Sequence, residues 1–215
     1  MPYRASELSW RRAVVAAAGR SAMLAAGLRA AIRLRHRLAI RTGATPRLRR
    51  VYVEATNRCN LRCPMCPSHV GERERGLMDP ETMRLLAGQI PPGSLLEFSF
   101  LSLGEPLLHP GLPSMIRMAR GLADELFLST NGVALGGSAE RADELAASGL
   151  THVHFSAEAS DAESYERIRA GARFDDFLAN LRLFRQARDR LRPGLKLDLS
   201  YTLVEPHGPD SLVDA

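Results

Sequence analysis

Cys59-Asn-Leu-Arg-Cys63-Pro-Met-Cys66 holds every cysteine of this 215-residue chain. Three thiols within eight residues, an odd number with none elsewhere, do not make a disulfide framework. Separated by three and then two residues, they can turn toward one centre, which reads as a metal site with three protein thiolates. Thiolates select zinc, copper(I) or iron–sulfur centres. An iron–sulfur cube normally takes four cysteines. Supplying only three leaves one iron open to an exogenous ligand, and an open position is what a catalytic site keeps. The alternative is a closed structural zinc site, with His69 as fourth ligand in a C-x3-C-x2-C-x2-H run.

Working outward, Arg50 to Ala55 reads as a strand that runs straight into the cysteine loop. Asp79-Pro80 starts a helix, Asp79 as N-cap and Pro80 at the first helical position, and Pro91-Pro92-Gly93 closes it. Strands follow over 95–101, 126–129, 151–156 and 195–203, separated by helices over about 112–121, 138–148 and 162–191. Strands alternating with helices at this pitch predict βαβ units and a parallel sheet of the α/β class. The strands read as near-continuous apolar runs, as expected of a sheet covered on one face and lining a packed interior on the other. Ligands on such sheets bind at the C-terminal ends of the strands. The polar motifs Ser102-Leu-Gly104-Glu105-Pro106, Ser129-Thr-Asn131-Gly132 and Ser156-Ala-Glu158 all fall at such ends.

Taken together, Glu54-Ala-Thr-Asn-Arg-Cys59-Asn-Leu-Arg-Cys63-Pro-Met-Cys66-Pro and these later motifs resemble the radical S-adenosylmethionine (SAM) superfamily. The resemblance is to the SPASM-type branch, and it covers about residues 50 to 205. It implies a partial (βα) barrel, a [4Fe–4S] cluster held by Cys59, Cys63 and Cys66, and S-adenosyl-L-methionine chelating the fourth iron. It also implies that one electron from the cluster cleaves SAM to methionine and a 5′-deoxyadenosyl radical, which abstracts hydrogen from a peptide or small-molecule substrate. Met65 takes the place of a residue, usually aromatic, that lies by the adenine; a thioether can pack on a ring. Gly104, Glu105 and Pro106 match a Gly-Gly-Glu-Pro turn that binds the SAM amino group, with Leu103 replacing one glycine. Without the resemblance, Gly-Glu-Pro would be a plain turn, and Asn131-Gly132 is first of all a turn pair. The resemblance puts Ser129 and Asn131 near the ribose or the substrate. Ser156 and Glu158 stand where the family often has Ser-x-Asp, and Arg169 matches an arginine that pairs with the SAM carboxylate. The rival for Arg169 is a solvated helix face, with Arg167 as its neighbour.

The family builds six βα units, so one unit and any C-terminal extension are expected to be missing, and a fragment or truncated gene model is expected. The family's accessory-cluster cysteines are absent from this sequence, which therefore binds at most one cluster. A truncated relative that binds cluster and SAM without chemistry, and a zinc-bound interaction protein, are the competing readings.

Charge is distributed unevenly. Residues 1–48 carry ten Arg and one acid, Glu7, for +9, so the remainder sums to −4 within a net +5. The basic balance belongs to an Arg-rich helical leader over 1–48, ahead of a core domain over 49–215, and no nucleic-acid partner is expected. The leader, helical from Ser9-Trp10 through Ile40, is expected to pack on the core or a partner, or to rest peripherally on an anionic membrane. No apolar run approaches the about 20 residues of a membrane span. Thiolates that must stay reduced fit the cytoplasm, with a flavodoxin or ferredoxin as electron donor. The histidines show no metal spacing. His152 and His154 share a strand face, for which core or surface use is expected, and His109 reads as loop structure.

Overall fold

The computed structural model describes residues 26–27, 30–31, 33–34, 37, 48–69 and 71–201. Contacts divide the chain into two units, Met1–Leu48 and Arg49–Ala215. In the first, the described residues are exposed and all but Leu48 are helical; the rest of the expected leader helix lies outside the described residues.

The second unit is built on strands β1 (Arg50–Val53), β2 (Leu95–Phe100), β3 (Ala123–Thr130), β4 (His152–Ser156) and β5 (Lys196–Ser200). They form one sheet in the order β1-β2-β3-β4-β5, every neighbouring pair parallel. Between them lie α1 (Pro80–Gly88), α2 (Leu112–Met118), α3 (Ala139–Ala147), α4 (Ala162–Ile168) and α5 (Phe174–Leu191). Helix α1 starts as expected, with the Asp79 carboxylate accepting from the Glu81 N–H and Pro80 at the first position. Ser138 and Asp161 cap α3 and α4 in the same way. Residues 162–191, read from sequence as helical segments, form two helices parted by Gly171 at φ 97°.

The strands alternate, which the sequence reading missed. Phe98, Phe100, Leu128, Val153 and Phe155 turn one way into a core shared with Met83, Met115, Ile116, Leu145, Phe177 and Phe184 of the helices. Phe155 anchors it, with ring centroids 6.4 Å from Phe177 and 5.4 Å from Phe184. Each fully buried side chain of this size contributes about 1.5–3 kcal/mol. The other face carries Glu97, Ser99, Glu125, Phe127, Ser129, His152, His154 and Ser156, and apart from buried Ser99 these are half-buried. Apolar residues at alternate positions suffice to build one core, and the polar positions between them face away from it. The strands thus read as apolar in bulk but are two-faced in space.

Candidate active site

The thiol loop leaves β1 at the C-terminal edge of the sheet, and three neighbouring segments hold it. The Arg62 N–H donates to Ala170 O at 2.9 Å, joining the loop to the corner between α4 and α5. The Glu105 N–H donates to Arg58 O at 2.8 Å, bringing in the turn after β2. Asn131 Nδ2 donates to Asn60 Oδ1 at 2.9 Å and lies 4.0 Å from Cys59 Sγ, bringing in the end of β3. The Cys66 N–H closes the loop on Cys63 O at 3.0 Å.

All three cysteines are free, and they line one open cavity of about 120 Å³. Gly104, Glu105, Ser129, Asn131, Ser156 and Arg169 share its wall, so most of the residues singled out by sequence meet there. Pro106 is buried in the short 3-10 turn Pro106–Leu108, off the wall. Met65 is 40% exposed and lies off the wall too. Glu158 stands behind the wall, buried, and reaches it through Arg169.

Glu105 is the most enclosed acid of the site. Its carboxylate accepts from Thr130 Oγ1 at 2.6 Å, the Asn131 N–H at 2.7 Å and the Leu107 N–H at 3.0 Å. Burial pushes this carboxyl up from its usual range, while those three donors and the Arg169 guanidinium pull it back toward the charged form. The acid thus clamps the end of β3 to the turn after β2. Gly104 is required for a related reason. A Cβ there would lie 1.9 Å from Thr56 O and 2.9 Å from the Asn57 Cα, so only glycine lets this turn pass the chain entering the thiol loop.

Arg169 ends α4 and is no solvated helix residue: its side chain is 14% exposed and pairs with Glu158 at 2.6 Å. Its Nη1 points at Cys63 Sγ, 3.8 Å away. Glu158 takes a left-handed φ of 63°, unusual for a side-chain-bearing residue, where its N–H and that of Ala157 both donate to Ser200 O at 3.1 Å. Burial pushes the Cys59 thiol up, helped by the nearby Glu105 charge and opposed by the Leu61 N–H, which donates to its Sγ at 3.5 Å.

Thr130, Asn60 and Ser102 lie inside the motifs quoted from sequence but were given no role there: Thr130 and Ser102 line the cavity, and Asn60 accepts from Asn131. His109 is structural, accepting the Gly111 N–H at Nδ1 (3.0 Å) and therefore donating from Nε2 to Met78 O (2.9 Å). His152 lies between Glu125 Oε1 (2.8 Å) and Asp198 Oδ2 (2.7 Å), on the polar face of the sheet.

The donor set suits the groups that the resemblance implies. Among the described residues no three His, Cys, Asp or Glu side chains close on a single metal ion. In a cluster each thiolate binds its own iron instead, and three free thiols around one cavity would leave the fourth iron facing the polar wall. That wall offers hydroxyls, an amide and a guanidinium whose Nε is buried without a partner, groups suited to an amino acid carboxylate and a ribose.

Comparison with known proteins agrees with this geometry. The PqqA peptide cyclase of Xanthomonas euvesicatoria is 39% identical over 119 residues, 55% of this chain and 31% of that protein. The tungsten-containing aldehyde ferredoxin oxidoreductase cofactor-modifying protein of Pyrococcus furiosus is 38% identical over 109 residues, 49% of this chain and 30% of that one. The chain thus spans about a third of the length of these curated relatives. Among solved structures, Streptococcus suis SuiB bound to precursor peptide SuiA superposes with a TM-score of 0.62 over 84% of this chain and 39% of that one. At 16% identity that likeness is one of fold. The Radical SAM superfamily model matches residues 53–192, from the end of β1 through α5, and with its thiol loop and strand-end motifs inside that span the chain belongs to the radical SAM superfamily.

Proposed function

We propose that this chain carries the catalytic core of an enzyme that takes hydrogen from a peptide by radical chemistry. The observation that carries the reading is that three free thiols and the ends of β2, β3 and β4 share one cavity. When bound, the family's cofactors, a [4Fe–4S] cluster and S-adenosylmethionine, supply a carbon radical by reductive cleavage of the sulfonium. Cys59, Cys63 and Cys66 hold three irons in this reading. Arg169, fixed by Glu158, faces the SAM carboxylate with the N–H groups that the ion pair leaves over. Ser129, Asn131 and Ser156 give hydrogen bonds to the ribose and the amino acid portion. Glu105 has about four acceptor sites, and the chain itself fills three of them, so this acid contributes to an ammonium mainly through its field.

A peptide is favoured over a small molecule because PqqA peptide cyclases are among the relatives in sequence and peptide-bound SuiB is among those in fold. An electron donor such as a flavodoxin or ferredoxin and a cytoplasmic location belong to the same proposal, since thiolates need a reducing compartment. Among the described residues no helix is long and apolar enough to cross a membrane.

Anaerobic reconstitution with iron and sulfide tests the reading. Binding of about four irons, followed by release of 5′-deoxyadenosine from SAM with dithionite, is the expected result. A colourless protein that takes stoichiometric zinc instead would overturn it. Cluster and SAM bound without cleavage would leave the chain a binding relative.

A further inference from the structure

The thiol loop has a brace that the family resemblance did not suggest. Beyond Ser68 the chain turns back and runs antiparallel to residues 54–57. The Met78 N–H donates to Ala55 O at 2.8 Å, Thr56 bridges Leu77, and Thr56 Oγ1 donates to Gly76 O at 2.6 Å. Asn57 grips the same segment twice, donating to Glu74 O at 2.7 Å and accepting the Gly76 N–H at 2.8 Å. From this returning segment the Arg75 guanidinium reaches both sides of the loop. Nη1 donates to Asn57 O, two residues before Cys59, and Nη2 to Ser68 O, two residues after Cys66. Among the described residues no other side chain is hydrogen-bonded to carbonyls on both flanks of the thiols. Ser68 is itself buried and lines the cavity, so the bond to its carbonyl bears on the wall of the site.

Resting on the radical SAM reading, we propose that Arg75 is a positioning residue of the metal centre, whose planar fork fixes the opening of the Cys59–Cys66 loop and so retains the iron–sulfur cluster. The physical reason is preorganisation. Three thiolates repel one another, and a loop with untied ends would spread once one iron is lost; ends pinned at a fixed separation keep the other thiols in place for recapture. A guanidinium suits this role because its N–H groups diverge in one plane toward two acceptors, whereas an ammonium is a point donor. Groups that hold metal ligands in place typically contribute 10–100-fold to metal affinity.

The test compares Arg75→Ala, Arg75→Lys and Arg73→Ala in the full chain, each reconstituted anaerobically. Arg73 lies in the same returning segment but pairs with the Glu54 side chain at 2.5 Å, whereas the Asn57 and Ser68 carbonyls are held by Arg75, so its variant controls for loosening of the segment. The readouts are iron per chain, the rate at which a strong chelator bleaches the cluster, and the melting temperature of each metal-free protein. Arg75→Ala should lose iron about tenfold faster than wild type, Arg75→Lys at an intermediate rate, and Arg73→Ala within about twofold of wild type, with metal-free melting temperatures alike. Bleaching of both Arg75 variants at the wild-type rate would overturn the proposal, and so would bleaching of Arg73→Ala as fast as Arg75→Ala. If Arg75→Ala fails to fold, the lysine variant against Arg73→Ala decides. Wild type that takes up no iron would refute the functional reading, and the proposal with it; iron-replete wild type with unaltered variants would refute the proposal alone.

Discussion

Replacing Gly104 by alanine sets a methyl carbon 1.9 Å from Thr56 O, 2.7 Å from the Thr56 carbonyl carbon and 2.9 Å from the Asn57 Cα. All three are backbone atoms, so no rotamer change relieves the clash, and the turn after β2 must back away from the chain entering the thiol loop. Overpacking costs about 1–3 kcal/mol, and an unyielding backbone puts this site at the upper end. Backing away also stretches the bond from the Glu105 N–H to Arg58 O, now 2.8 Å, a loss of about 1 kcal/mol. A total of about 4 kcal/mol lowers the melting temperature by roughly 8–16 °C in a domain of this size. The assay is thermal unfolding of metal-free protein, followed by circular dichroism, beside Gly88→Ala. At Gly88, the last residue of α1, an added Cβ meets nothing within 4 Å. Alanine there should be neutral or stabilising by up to about 1 kcal/mol. The reasoning is refuted if Gly104→Ala melts within about 2 °C of wild type while losing SAM affinity, because the glycine would then serve the ligand and not the chain.

Each single alanine substitution of Cys59, Cys63 or Cys66 should drop bound iron from about four per chain to a small residue, read by colorimetric iron and visible absorbance; full loading of any one variant would count against the site. Tyr165→Phe should stabilise by about 1 kcal/mol, since this side chain is fully buried and its hydroxyl has no partner; a loss of comparable size in chemical denaturation would mean that the hydroxyl is satisfied. Burial and the neighbouring His152 hold His154 below the ordinary imidazole value of 6.5, outweighing the Asp198 and Glu158 charges. The unfolded chain therefore binds this proton more readily, so wild-type stability should fall as pH drops below about 6.5 toward the lower folded value. His154→Gln should flatten that limb, and urea midpoints falling in parallel from pH 7 to pH 5 would contradict it.

The readable part of this chain was its short-range chemistry. Asp79 and Pro80 announce a helix start within three residues, and three thiols in eight residues announce a metal loop, because each signal is complete inside its own window. Strand ends were legible for the same reason, which is why Ser129, Asn131 and Ser156 arrive on one wall. What the sequence hid depends on partners far along the chain. Glu105 looked like an acid aimed at a ligand, but its carboxylate is tied to β3, 25 residues on, by a bond to Thr130. Gly104 looked free for close approach, and the approaching chain is that of Thr56. Arg75 sat in a charged run of Glu72-Arg73-Glu74-Arg75 that reads as a solvated surface, and only the turn of the backbone shows its two carbonyl acceptors. Met65 was placed by analogy alone, and it is exposed and absent from the cavity lining.

Strand order along the sheet equals strand order along the chain. A nascent polypeptide leaving the ribosome can therefore add each strand beside one already laid down, with no gap held open for a later arrival. The thiols follow the first strand and emerge early, but Asn131 and Arg169, which bear on Cys59 and Cys63, emerge some 70 to 110 residues later. At typical synthesis rates that interval lasts several seconds. Until it ends, the loop has ligands without their supports, so delivery of iron suits a chain already made past Arg169.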